Sequence, residues 1–156
     1  TISSLWEANM EVLDPEHSGI NLFDENWKIY SRNSGMTGHR IGADAVVENS
    51  MITDGCRIAG KVKHSILFAG VQVEEGAEVE DAVVMGGTTI KSGAVVKHCI
   101  VAENVVIGEN AVVGAMPADG EKGVATVGPG VYVGDNAKIG PNAMVNNNVK
   151  GGDEQW

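Results

Sequence analysis

Two hydrophobic periods divide the chain. Over the first dozen residues Ile2, Leu5, Trp6 and Met10 recur at helical spacing, and Thr1 or Ser3 stands where an N-cap is needed, so a short helix is predicted over Thr1 to about Val12. From Ile41 the spacing changes to apolar steps of five to seven residues punctuated by Gly, Asn and Asp, and the pattern returns after about 17 residues. Like residues fall into columns. One reads Ile41, Ile58, Val73, Ile90, Ile107 and, past an interruption, Val127; a second reads Val47, Val62, Val79, Val96, Val113 and Val133; a third reads Ile52, Leu67, Val84 and Val101.

A unit this short and this poor in large side chains does not bury a face alone. It becomes stable by stacking on its neighbours, with main-chain ladders about 4.8 Å apart. The columns then become interior stacks, and Gly55, Gly70, Gly76, Gly93 and Asn110 fall where corners demand positive φ. The expected architecture is all-β: a parallel β-helix of hexapeptide-type coils. A helical bundle is the rival for a Val-rich chain, but no stretch after residue 40 sustains helical spacing, and β-branched residues with frequent Gly penalise helix. Composition agrees. There are 21 glycines and 43% hydrophobic residues but only 4% aromatics, too few for an ordinary globular core.

Along the chain, residues 1–40 do not repeat. They hold the helix, a Pro15–Gly19 turn, the aromatics Phe23, Trp27 and Tyr30, and a polar linker from Ser31 to Arg40. Trp6, Trp27 and Phe23 are expected to pack the helix and linker onto the coils or onto further sequence. Residues 41–156 form the repeating part, with a loop insertion at about 115–126, coils resuming to Val145, and a tail from Asn146 that caps or frays. The chain opens at Thr1 without Met, which reads as a fragment.

Eleven Lys and Arg against 21 Asp and Glu give a net charge of −10, which argues against nucleic acid and anionic membranes as partners. No apolar run approaches a membrane span and no leader opens the chain, so cytoplasmic residence is expected. Cys56 and Cys99 fall in different columns, and buried or corner thiols are expected rather than a disulfide. Gly86-Gly87 and Gly151-Gly152 lack the strand and helix context of a phosphate loop.

His64 and His98 raise the question of imidazole chemistry, since hexapeptide acyltransferases use a histidine base and γ-type carbonic anhydrases hold zinc with three. In the repeat, Lys63-His64 stacks on Glu80-Asp81, which stacks on Lys97-His98. Opposite charges on adjacent rungs stabilise each other by roughly 0.2–1 kcal/mol per pair, and such a surface ladder accounts for both histidines. Zinc needs ligands within about 2.1 Å of one point; two rungs hold these rings about 10 Å apart. No metal site is expected. Arg32, His39 and Arg40 cluster just before the first coil, either as an anion site or as a solvated linker.

The segments TISSLWEANM (Thr1–Met10), NLFDENWKIYS (Asn21–Ser31), SMITDGCRIAG (Ser50–Gly60) and KHSILFAGVQV (Lys63–Val73) resemble the end of bacterial glucose-1-phosphate adenylyltransferases. The resemblance covers most of the chain to about Val113. It implies a left-handed β-helix following a Rossmann-like nucleotidyltransferase domain that converts ATP and glucose 1-phosphate, with Mg²⁺ as cofactor, to ADP-glucose for glycogen. On that footing residues 1–40 are the end of the catalytic domain and its linker, and 41–156 are an oligomerisation and allosteric domain without catalytic residues of its own. Sugar-phosphate effectors of the family bind near the domain junction, so Arg32, His39 and Arg40 are the candidate effector residues. The linker departs from the family's proline-rich pattern, and the coils continue from Val127 where many members end in a helix; a regulatory subunit is therefore an alternative parent. An acyltransferase using His98 or His64 is the alternative enzyme. It predicts a trimer, where the first reading predicts a homo- or hetero-oligomer through the β-helix, an isologous pair, with Leu5 and Trp6 exposed.

Overall fold

The structure is a computed structural model and describes residues 1–22, 24–30, 33–118 and 123–156. Helix α1 (Ile2–Glu11) starts at the Thr1 cap, whose Oγ1 accepts the Ser4 N–H at 3.1 Å. A one-turn helix α2 (Pro15–Ser18) has Pro at its first position and ends at Gly19 with φ 69°. The described residues from Ile20 to Gly38 add no helix or strand.

The coils follow in order. Coil one holds β1 (Arg40–Ile41), β2 (Val46–Glu48) and β3 (Met51–Ile52); coil two holds β4 (Arg57–Ile58), β5 (Lys61–Lys63) and β6 (Ile66–Leu67). Coils three and four each have a short strand, β7 (Gln72–Val73) or β9 (Thr89–Ile90), and a long one, β8 (Glu78–Val84) or β10 (Val95–Val101). Coil five holds β11 (Val106–Ile107), β12 (Val112–Val113) and β13 (Ala125–Val127), and coil six β14 (Tyr132–Val133), β15 (Lys138–Ile139) and β16 (Met144–Val145). A partial seventh coil carries Val149, bridged to Val133, and β17 (Glu154–Gln155), paired with β15. All these pairings are parallel. This is the parallel β-helix expected from the repeat.

Three faces result. The first runs β1-β4-β7-β9-β11-β14; the second runs from β2 through β5, β8, β10, β12 and β15 to β17; the third runs β3, β6, β8, β10, β13, β16. Six-residue steps turn on a Gly or Asn at positive φ, such as Gly76, Gly93 and Asn110. In the first four coils the step from second to third face takes only five residues and turns on Asn49, His64, Asp81 or His98, at φ of 37–52°. Asn, Asp and His tolerate that region better than other side chains with a Cβ.

The interior columns match expectation up to the insertion and depart after it. Val133, not Val127, continues Ile107 on the first face; Ile139, not Val133, continues Val113 on the second; Val127 and Val145 extend the third face beyond Val101. Partners that flank the insertion, such as Val101 and Val127, stand further apart along the chain than partners before it, such as Val84 and Val101. The extra chain leaves after Val113, with one face of that coil still unmade, so the next apolar residue belongs to the third face. Ala125 and Thr126 are already strand, and the insertion ends at Val124. The tail adds a further half coil.

The second coil is short in the opposite sense. Column partners Ile58 and Val73 are closer along the chain than Val73 and Ile90, and the deficit lies at the corner between Ile58 and Val62. Gly60 turns that corner against the next coil, where a Cβ would lie 2.6 Å from the Glu74 carbonyl oxygen and closer still to that of Ala77.

From Val62 to Ile139 the stacked Val, Ile and Ala side chains have almost no solvent exposure. Among the described residues the two buried hydroxyls are satisfied: Ser65 donates to the Lys63 carbonyl and Thr88 to that of Ala102. Helix α1 packs outside the third face, with Trp6 and Met10 against Val83, Ile100 and Val124. Trp6 is therefore half-buried, packing the helix onto the coils as expected of it and not exposed as the isologous-pair reading requires, while Leu5 is exposed. Trp27 is 70% exposed and does not pack on the coils. Phe23 lies outside the described residues.

Candidate functional site

Arg40 and Arg57 are direct partners in the ladder between β1 and β4. Because side chains alternate along a strand and Ile41 and Ile58 head the interior column, both arginines project outward, one rung apart. Gln72 occupies the next rung. Together with Glu74, and with the small residues Gly42 and Ala59, they line an open groove of about 310 Å³. Glu74 reaches the next coil: its Oε2 accepts from the Ser92 N–H at 3.0 Å and the Ser92 hydroxyl at 3.2 Å.

Of the sequence candidates, Arg40 lies in this groove. His39 is exposed and does not line it, and Arg32 lies outside the described residues. Arg57 and Gln72 were not anticipated. Arg57 stands one repeat after Arg40, so the period that aligned the interior columns also placed these two on one outward column.

The second cluster is the five-residue corner. The ladder of charge is present for most of its members: Glu80 takes Lys97 at 3.2 Å and Lys63 at 3.8 Å, and His64 Nδ1 lies 2.5 Å from Asp81 Oδ1. His98 does not join it. Its ring lies 4.4 Å from that of Trp6 with planes tilted by 56°, it is buried, and its Nδ1 has no hydrogen-bond partner. Burial holds the His98 imidazole below its ordinary titration range, and the charge of Asp81 opposes this in part. The surface ladder thus explains His64 and not His98. The indole of α1, a contact from outside the repeat, removes His98 from the surface.

Both cysteines are buried free thiols in separate columns, and burial pushes the Cys99 thiol up to about 12. Among the described residues no group of three or more His, Cys, Asp or Glu is placed to hold a metal ion, and no helix is long and apolar enough to cross a membrane.

These coils and corners define a protein of the hexapeptide β-helix class. The family model described as "GlmU-like, C-terminal hexapeptide" matches residues 35–134, and the chain belongs to that family. Among curated proteins, the glucose-1-phosphate adenylyltransferases of Bacillus mycoides (strain KBAB4) and Bacillus cereus (strain ATCC 10987 / NRS 248) are each 54% identical over 77 residues, 49% of this chain. The match spans 20% of the length of those relatives. The resemblance seen in the sequence is thus present in the comparisons. Among solved structures, the acetyltransferase domain of PglB from Neisseria gonorrhoeae FA1090, in complex with acetyl coenzyme A, aligns with a TM-score of 0.53 over 78% of this chain and 55% of that one. At 18% identity the likeness is one of fold.

Proposed function

We propose that this chain is the β-helix part of an ADP-glucose-forming nucleotidyltransferase, where it serves subunit assembly and effector-dependent control. The observation that carries the reading is the 54% identity over 77 residues to proteins named glucose-1-phosphate adenylyltransferase. The parent reaction joins ATP and glucose 1-phosphate to give ADP-glucose and diphosphate, in glycogen biosynthesis. Mg²⁺, implied for that reaction by the resemblance, has no fitting donor set among the described residues. The role of this chain lies elsewhere. Exposed Trp27, Ile29 and Tyr30 supply apolar surface for assembly, and the Arg40–Arg57 groove supplies positive charge for an anionic effector. An acyltransferase reading through His98 finds less support, because that ring is buried and enclosed by Trp6.

The test is a coupled assay on the full-length parent protein with ATP, glucose 1-phosphate and fructose 1,6-bisphosphate. Release of diphosphate with ADP-glucose, responsive to the bisphosphate, supports the whole reading. ADP-glucose synthesis indifferent to sugar phosphates removes the control role. No synthesis alone, but stimulation of a co-expressed catalytic subunit, identifies a regulatory subunit. Acetyl transfer from acetyl coenzyme A in place of either overturns the proposal.

A further inference from the structure

Helix α1 closes over an atom that can take up a proton. His98 is 7% exposed, its ring lies 4.4 Å from that of Trp6, and its Nδ1 has no hydrogen-bond partner. A buried polar atom left unpaired is a cost that folded chains normally avoid. The backbone does not demand it. The corner needs a residue that tolerates positive φ, 45° at His98, but Asn49 and Asp81 turn the same corner on other coils without an imidazole.

Protonation changes what the buried ring requires. In the imidazolium both ring nitrogens are donors and the ring carries a charge, so Nδ1–H needs an acceptor whichever tautomer is neutral. Among the described residues none is within reach of it. Asp81, on the preceding rung, is the carboxylate whose charge acts on the ring, but its Oδ1 is engaged by His64 Nδ1 at 2.5 Å. The other charged groups nearby are committed or turned outward: Lys97 pairs with Glu80, Glu7 and Glu11 of α1 are exposed, and Asp14 and His17 of α2 pair with each other. An indole attracts a cation, yet the docked helix also keeps water from both nitrogens of the ring. Lifting α1 restores that water.

The helix can lift without opening the core. Its hold consists of the Trp6 N–H on the Asp81 carbonyl at 2.8 Å and a small apolar cluster with Val83, Ile100 and Val124, none of which belongs to the interior columns. Docked and lifted forms therefore bind a proton with different affinity, and that difference is what allows a proton to shift the balance between them.

We propose that α1 is a proton-operated clasp: with His98 neutral it stays docked through Trp6, and protonation of His98 lifts it from the corner, uncovering Val83, Ile100 and Val124 while the coils stay folded. The inference does not depend on the activity assigned to the parent protein. Because docking holds His98 below its ordinary 6.5, the clasp is closed above 6.5, opens as pH falls through 6.5, and stops responding below the docked value.

The test follows the 156-residue chain by NMR from about pH 7.5 to about pH 5, reading the Trp6 indole N–H, the histidine rings and the amide protection together. The indole N–H is expected to leave its hydrogen-bonded position and the protection of α1 amides to drop about fivefold or more, with the midpoint of the His98 titration, while β8 and β10 keep their protection. His98→Asn, which suits the left-handed corner without a titrating ring, holds both readouts flat, and His17→Gln leaves the transition in place. If His98→Asn already frees α1 at about pH 7.5, coincidence of the midpoints in the unaltered chain decides. A His98 ring that protonates while the indole and the α1 amides stay put overturns the clasp. So does a transition that survives His98→Asn or follows His64 or His17, or a loss of protection shared by β8 and β10.

Discussion

Trp6 and His98 meet across a contact that ties the non-repeating start of the chain to the middle of the β-helix. The rings lie 4.4 Å apart, and the same indole donates its N–H to the Asp81 main-chain carbonyl at 2.8 Å. One side chain of α1 thereby engages two consecutive rungs of the five-residue corner, and Met10 continues the contact onto Val83 and Ile100.

Removing the ring should undock the helix without dismantling the coils, because the interior columns do not include α1. Trp6→Ala is expected to cost about 2 kcal/mol, below the range for fully buried aromatics since Trp6 is half-buried. Trp6→Phe, which keeps most of the contact but loses the N–H donor, is expected to cost about 1 kcal/mol. Hydrogen exchange reads the location: amides of α1 lose protection while those of β8 and β10 keep it. Equal loss in coils and helix would show that α1 is part of one cooperative unit with them.

The same contact makes stability depend on pH. His98 in the folded chain titrates below its ordinary 6.5, so the unfolded chain binds the proton first. Folding is unaffected by this group well above 6.5, weakens as pH falls through 6.5, and stops weakening below the folded value. His17 acts with opposite sign, because Asp14 raises it, and Glu78 and Glu154, lowered by their lysines, act only near and below 4.5. In a His17→Gln background, Tm is expected to drop between about pH 7.5 and about pH 5.5, and His98→Asn to flatten that drop. A slope unchanged by His98→Asn would assign it to another group.

Most of the coil architecture was legible because each interior column returns to Val, Ile or Ala once per repeat. Register beyond the insertion was not, since Val127 and Val133 are both apolar and one hexapeptide step apart, and either satisfies the first column by type. The final half coil was hidden for a related reason: Gln155 occupies the position that Val47 to Ile139 fill with apolar side chains. The burial of His98 depends on Trp6, whose contacts reach residues 75 or more positions away, beyond any local pattern. Arg57 stands one repeat after Arg40, but the outward column runs on through Gln72, Thr89 and Val106 and so carries no periodic signal of residue type.

The shortened second coil predicts where an added methyl group is least tolerated. Gly60→Ala drives a Cβ into the Ala77 and Glu74 carbonyls, which are backbone atoms held in the ladder and unable to turn aside. A loss of about 3 kcal/mol is expected, the upper part of the overpacking range. Gly130→Ala is the comparison: its φ is 67° but nothing lies within 4 Å of a Cβ there, so only the backbone cost of about 1 kcal/mol remains. Denaturant midpoints of the two variants decide the order, and equal losses would refute the close approach at Gly60.

Glu80 sits between two lysines on adjacent rungs, so reversing its charge tests whether the rungs interact. Glu80→Lys replaces two attractions, to Lys63 and Lys97, by two repulsions in a row of three cations. A loss of about 1–2 kcal/mol is expected at low salt, from two facing pairs each worth up to about 1 kcal/mol. Because these side chains are partly exposed, salt at about 1 M should recover much of the loss. The triple variant Lys63→Glu, Glu80→Lys, Lys97→Glu restores the alternation with opposite sign and should regain most of the stability. If it is as unstable as Glu80→Lys alone, the cost came from the packing of the Glu80 side chain and not from its charge.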